Sequence, residues 1–207
     1  MPTPQPTSII KPSPRKRQVM YRDGDTADII RVIMHADRMS GQFVDSATVD
    51  ALRGPDDYHT LENIYWFVKR NVQYRPDRSG HEEVRSPGYL FDTRLGDCKS
   101  MSVAIGALCR AFGIPYQYRF VRQRGAHNYH HVYVIAFPAD GSARGEVILD
   151  AVHRSFDSEA PWMKKLDLKP GQRIPASIGE LKFSLISVWP LLLLLLLWFA
   201  SAKKVRK

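Results

Sequence analysis

Three residues of the right types for nucleophilic acyl chemistry stand at Cys98, His131 and Asp150. A thiol attacks a carbonyl only as its thiolate. A cysteine in the first turn of a helix sits at the positive end of the helix dipole, where negative charge is favoured. Asp97 as N-cap and the stripe Cys98, Met101, Ala104, Ile105, Leu108 and Phe112 predict such a helix beginning at Cys98. Gly113 is its expected stop, and Ile114-Pro115 launches a strand. A thiolate nucleophile needs a base, and the base needs an orienting group. His131 opens a strand-like run over residues 131–137, and Asp150 follows one over 146–149. The midpoint of 131 and 150 falls between Asp140 and Gly141, an Asp-Gly hairpin signal. A hairpin turning there sets His131 directly opposite Asp150. Spacing alone does not separate His131 from His127, His130 and His153 as the base.

Cys109 lies eleven residues after Cys98 on the same stripe, which makes it a core cysteine. On one helix the pair is about 16 Å apart, too far for a disulfide, which needs Cα atoms within about 7 Å. No disulfide framework exists, so the redox compartment stays open. His127, His130 and His131 beside Cys98 raise the question of zinc, but no C-x-x-C or H-E-x-x-H spacing supports a metal. The expectation is no metal and no cofactor.

The elements that must position these residues follow from periodicity. Apolar stripes predict helices over residues 25–39, 46–53 and 60–72, with Ile29, Ile30, Ile33 and Met34 on the first and Leu61, Ile64, Phe67, Val68 and Val72 on the third. Residues 78–94 read as a loop, broken by Ser79-Gly80 and Ser86-Pro87-Gly88. Aromatic and β-branched runs predict strands over 116–122, 131–137 and 146–149. Helices first and antiparallel strands after give an α+β class, with the nucleophile helix packed on an antiparallel sheet.

The blocks Gly96-Asp97-Cys98 and Leu108-Cys109-Arg110-Ala111-Phe112-Gly113-Ile114-Pro115 resemble the nucleophile helix of the transglutaminase-like superfamily. His131-Val132-Tyr133-Val134 is similar to its histidine strand, Leu149-Asp150-Ala151-Val152 to its aspartate strand, and residues 64–74 to the helix that precedes the cysteine. The resemblance spans residues 26–157, and its type is bacterial or phage. It departs at Lys99-Ser100, where many relatives carry an acidic residue, and at Tyr133, where Trp is common. The resemblance implies a papain-like cysteine fold with Cys98 as nucleophile, His131 as base and Asp150 as orienter. The activity it implies is acyl transfer on an amide through a thioester, with protein, peptide or peptidoglycan-like substrates. Peptidase or amidase activity and transamidation both remain open, and analogy favours hydrolysis. Two other readings stand beside it: a catalytically idle module that binds peptides or cell-wall fragments, and a structural membrane or virion component.

The net charge of +9 suggests nucleic acid until it is located. Residues 23–159 carry 16 Lys+Arg against 19 Asp+Glu, whereas the flanks carry 14 against 2. Basic flanks beside an apolar run fit a membrane surface better than a nucleic-acid groove. Residues 183–202 hold no charge and include seven consecutive leucines, Leu191 to Leu197. As a helix they span about 30 Å, one bilayer core. The expected organisation is a flexible, basic, Pro-rich arm over 1–24, the enzyme-like domain over 25–160, a basic linker over 161–182, a transmembrane segment over 183–202 and a basic tail over 203–207. No apolar leader is visible in the first twenty residues, so insertion as a C-terminal anchor is expected, with the domain on the cytoplasmic side.

Overall fold

A computed structural model of the chain describes residues 9–13, 18–22, 25–47, 49–78, 81–175 and 178. In chain order its elements are β1 (Gln18–Arg22), α1 (Thr26–Ser40), α2 (Asp57–Asn71), β2 (Gln73–Tyr74), β3 (His81–Arg85), α3 (Pro87–Thr93), β4 (Leu95–Gly96), α4 (Cys98–Ala111), β5 (Tyr116–Arg122), β6 (His131–Ala136), β7 (Val147–Leu149) and β8 (Lys164–Leu168). Short 3-10 turns at Gly41–Phe43 and Val49–Leu52 join α1 to α2. The α+β class expected from periodicity is the observed one.

Each helix begins where a short polar side chain satisfies its orphan N–H groups. Asp25 and Asp28 form a capping box on α1. Asp56 accepts from the His59 N–H on α2, Ser86 from Tyr89 on α3, and Asp97 from Ser100 on α4. Gly113 ends α4 with φ 71°, and the Ile114 N–H closes back on the Cys109 carbonyl at 3.0 Å.

The main sheet is antiparallel, in the order β7-β6-β5-β8. Strand alternation gives it two faces. Tyr118, Phe120, Val132, Val134 and Leu149 join α4 in the main core, while Val121, Tyr133, Ile135 and Ile148 form a small cluster on the other face. There Arg119, 1% exposed, binds Glu146, Glu159 and Asp167 and ties three segments to β5.

Between α1, α4 and β5 lies a buried carboxylate. Asp37 is fully buried and accepts from the Tyr116 hydroxyl at 2.6 Å, the Tyr118 hydroxyl at 2.7 Å and the Arg110 guanidinium. Gly106 makes this crossing possible: a Cβ there would meet the Tyr118 hydroxyl at 2.5 Å and Tyr116 Cε2 at 2.8 Å. A mid-helix glycine, unfavourable by about 1 kcal/mol against alanine, is retained because two rings pass over it. Burial, then the Asp37 charge, pushes both tyrosine hydroxyls up.

Five expectations change. The helix expected over 46–53 is only the 3-10 turn Val49–Leu52, too short a run before Gly54-Pro55 to hold a full α-helix. Residues 78–94 contain β3 and α3 rather than a loop. Ser86-Pro87 starts α3, with Ser86 as N-cap and Pro87 in the first turn, a pattern that reads as a breaker when the helix behind it is short. The arm over 1–24 is not wholly free: Ile9 and Ile10 are buried in the core, Ile10 bridges Val44, and β1 pairs with β3 from Gln18↔Arg85 to Arg22↔His81. The linker over 161–182 contributes β8, which completes the sheet beside β5. The β6–β7 turn is not centred on Asp140-Gly141, because Val134 pairs with Leu149 and Ala136 with Val147. The long connection is shaped by α2 instead: the Asp57 N–H donates to Asp140 at 2.7 Å and the Tyr58 N–H to Ser142 at 3.1 Å. The apolar run expected to span a membrane, residues 183–202, lies outside the described residues. Among the described residues no helix is long and apolar enough to cross a membrane.

Candidate active site

The start of α4 is fixed from three directions. β4 pairs in parallel with β2, which sets Tyr74 beside Gly96, two residues before Cys98. Ser102 Oγ donates to the Val132 carbonyl at 3.1 Å and locks the helix to β6. Ser100 Oγ accepts from the Arg85 N–H at 3.0 Å and locks it to β3. Cys98 therefore opens the helix as a buried residue, 7% exposed, lining a cleft.

His131 opens β6, opposite Val121. The β6–β7 register continues so that Asp150 falls opposite Tyr133, one diagonal step from His131. The imidazole spans that diagonal: its Nε2 lies 2.7 Å from Asp150 Oδ2. The second carboxylate oxygen accepts from the Val152 N–H at 3.1 Å. The turn behind Asp150 is clamped by α2, with Tyr65 donating to the His153 carbonyl at 2.8 Å and Lys69 to the Ala151 carbonyl at 3.0 Å.

Nε2 is taken by Asp150, and Cys98 lines the same cleft beside the ring and favours its charged form. Burial works against a charged imidazole here. The bonds to Asp150 and Cys98 and the negative charge of both overcome it and carry His131 up to about 10. The structure thus brings Cys98, His131 and Asp150 together, and of the rival histidines only His130 lines the same cleft. His130 is exposed and bonds Gln123 at 3.1 Å, His127 lines a neighbouring pocket, and His153 lies on the turn beyond Asp150. Cys109 is fully buried, and burial pushes its thiol up to about 12. Among the described residues no group of three His, Cys, Asp or Glu is placed to hold a metal ion.

Sequence reasoning passed over a second cluster. Lys99, next to Cys98, is nearly buried and ion-pairs with Asp97, with Asp77 at 3.0 Å and with Glu82 at 2.7 Å. Burial opposes its charge, but these carboxylates and the Cys98 charge push it up. Burial pushes Asp97 up, and Lys99 pulls it back. The signal was present: a lysine in the first turn of a helix faces the wrong end of the dipole and needs carboxylates nearby. Tyr74 was also missed as a site residue. Its hydroxyl is pushed up by burial, then by the charges of Cys98 and Asp97. A cleft of about 460 Å3 opens over Cys98 and His131, walled by Tyr74, Asp77, Glu82, Asn128, Tyr129 and His130.

No curated protein is significantly similar in sequence to this chain. Several solved structures share its shape in part. A candidate cysteine protease from Cytophaga hutchinsonii is 19% identical over 62% of this chain and 39% of its own, with a TM-score of 0.36. A candidate protease from Parabacteroides distasonis is 11% identical over 61% and 26%, at 0.42, and a TGase is 10% identical over 68% and 36%, at 0.36. The chain thus covers well under half the length of each. The family model described as the transglutaminase-like superfamily matches residues 46–157, more than half of the sequence and the stretch that holds Cys98, His131 and Asp150, and the chain belongs to that superfamily.

Proposed function

We propose that the protein is a cysteine-dependent acyl transferase acting on an amide carbonyl, with Cys98 as nucleophile, His131 as acid and base, and Asp150 as orienter. The observation that carries this is the 2.7 Å bond from His131 to Asp150, with Cys98 at a helix start lining the same open cleft as the ring. The Cys98 thiolate adds to the carbonyl carbon, and the carbonyl oxygen takes the negative charge. The free Cys98 N–H of the helix start is one donor to it. The Tyr74 hydroxyl, in the same cleft and holding its proton firmly, is the second. As the C–N bond breaks, the His131 imidazolium gives its proton to the departing amine, leaving a thioester on Cys98. Water or an amine then adds to the thioester, His131 takes up its proton, and the acyl product leaves with the thiolate restored. Asp150 holds the ring in the tautomer that both steps need.

A peptide-like thiol-reactive amide probe tests the reading. Labelling is expected to persist in Cys109→Ala and to vanish in Cys98→Ala. Labelling at Cys109 alone, or none in the folded wild-type protein, overturns it. Membrane tethering through residues 183–202 is supported by composition, and protease protection on sealed vesicles tests both the tether and the cytoplasmic placement of the domain.

A further inference from the structure

Beyond the cleft, the same face of the sheet carries a basic pocket whose charges have no carboxylate partner among the described residues. We propose that this pocket, of about 310 Å3 and lined by Arg122, His127 and Lys164, binds a carboxylate carried by the amide substrate; the proposal rests on the acyl-transfer reading above.

Four observations converge. First, the β5–β8 register sets Arg122 directly opposite Lys164. Like charges facing each other across two strands are destabilising, yet among the described residues no carboxylate pairs with either one. The opposite face is handled differently: Arg119, three residues earlier on β5, receives Glu146, Glu159 and Asp167, and Lys165 lies against Asp167. Second, the Arg122 Nε is buried without a hydrogen-bond partner among the described residues. Buried donors are almost always satisfied, so this one is suited to an acceptor brought by a ligand. Third, the pocket is continuous with the cleft, because Thr26, Asn128 and Tyr129 line both. Fourth, Phe120, two residues before Arg122 and on the same face, lines the cleft over Cys98. Two residues of strand rise about 7 Å, which sets the bound carboxylate one or two substrate residues from the amide under attack.

A guanidinium and an ammonium side by side suit a carboxylate, whose two oxygens each accept a charge-assisted bond. The other wall of the cleft holds four carboxylates, Asp25, Asp77, Glu82 and Asp97, against two cations, Arg78 and Lys99, and so keeps an acidic excess. An anionic substrate group is repelled there and drawn to the Arg122 end, which fixes the direction in which the substrate lies.

The experiment reads protection of Cys98 from iodoacetamide in the full-length protein. Blocked hexapeptides carry a single Asp walked through the six positions, with Asn, its isostere, as control. At least one Asp register is expected to half-protect at about tenfold lower concentration than its Asn counterpart. Lys164→Gln and Arg122→Gln are each expected to bring that ratio to about one. Lys165→Gln, which removes the same charge from the opposite face, is expected to keep it. No register separating Asp from Asn overturns the proposal, and so does a preference that survives both substitutions. Protection of Cys98 by inorganic phosphate alone, at concentrations where the Asp peptides act, makes this a phosphate site and overturns the carboxylate assignment. A wild-type protein in which iodoacetamide modifies Cys109 and spares Cys98 sinks the acyl-transfer reading instead, a result distinct from each of these.

Discussion

Replacing Asp150 by Asn removes the charge opposite His131 while keeping the shape of the side chain. In the wild-type protein the ring keeps its proton up to about 10, against 6.5 ordinarily. Burial opposes that charge, so the rise is supplied by Asp150 and Cys98 together. The Asp150 share is a 2.7 Å charge-assisted bond, worth about 1.5–3 kcal/mol. At about 1.4 kcal/mol per pH unit, its loss moves the His131 midpoint down by about one to two units. Cys98→Ser removes the other share, and the double variant shows whether the two add. Nuclear magnetic resonance of isotopically labelled histidine reads the midpoint directly, with His131→Gln identifying the signal. Stability carries the same information with a definite sign. A folded-state value above the ordinary one means that the charged ring stabilises the fold fully below pH 6.5 and loses that contribution as pH rises through about 10. The stability gap between wild type and Asp150→Asn is therefore expected to be wider at pH 6 than at pH 11. A midpoint that stays near 10 in Asp150→Asn, or a gap that widens with pH, refutes the assignment of Asp150 as the group that holds the charged ring.

Further outcomes follow from the same contacts. Asp37→Ala leaves two buried tyrosine hydroxyls and the partly exposed Arg110 guanidinium without their carboxylate and is expected to cost about 2–4 kcal/mol; a urea-unfolding difference under 1 kcal/mol counts against the buried cluster. Gly106→Ala gains about 1 kcal/mol of helix propensity but drives a methyl into Tyr116 and Tyr118, so the net effect on the unfolding midpoint is expected to be a loss, and a stabilised variant contradicts the packing. Tyr74→Phe removes the proposed second oxyanion donor and is expected to slow acylation of Cys98 by an amide-type probe by about a hundredfold, far more than it slows iodoacetamide, which forms no oxyanion; equal slowing of both rules out that role. Cys109 and Tyr65 each hold their protons up to about 12 through burial, so stability is present in full below their ordinary values and is expected to fall as pH climbs from about 9 to 12, measured by thermal unfolding.

The parts of this fold that were legible in sequence are those set by local physics. The start of α4 at Cys98 follows from a capping Asp97 and a continuous apolar stripe, and its end from Gly113, both read within a few residues. The strands β5 and β6 are as plain, because aromatic and β-branched residues alternate there. Elements whose existence depends on distant partners were not legible. β1 and β8 lie in basic segments and exist as strands through pairing with β3 and β5. α3 is seven residues long, too short for a periodic pattern to outweigh Pro87 and Gly88. His131 and Asp150 were identified although the hairpin argument that linked them had the wrong register. The diagonal and the direct pairing both lie within reach of an imidazole, so the pair survives an error of one step.

The same distinction accounts for Lys99, the feature that most changes the picture of the site. Cys98 shares its cleft with Asp97, Asp77 and Glu82. A helix start contributes only about half a positive charge. Two full cations balance the site: His131, held charged from one side, and Lys99, held charged from the other. Asp77 and Glu82 reach Lys99 from the segment before β3 and from β3 itself, so the strand that was invisible in sequence is the one that closes this ion cluster. A lysine beside the nucleophile, read alone, looks like a departure from the family pattern. Placed among three carboxylates it is the counterion of the acidic wall, and under the proposed substrate reading the acidity that remains there makes Arg122 and Lys164 the attractive end for an anionic group.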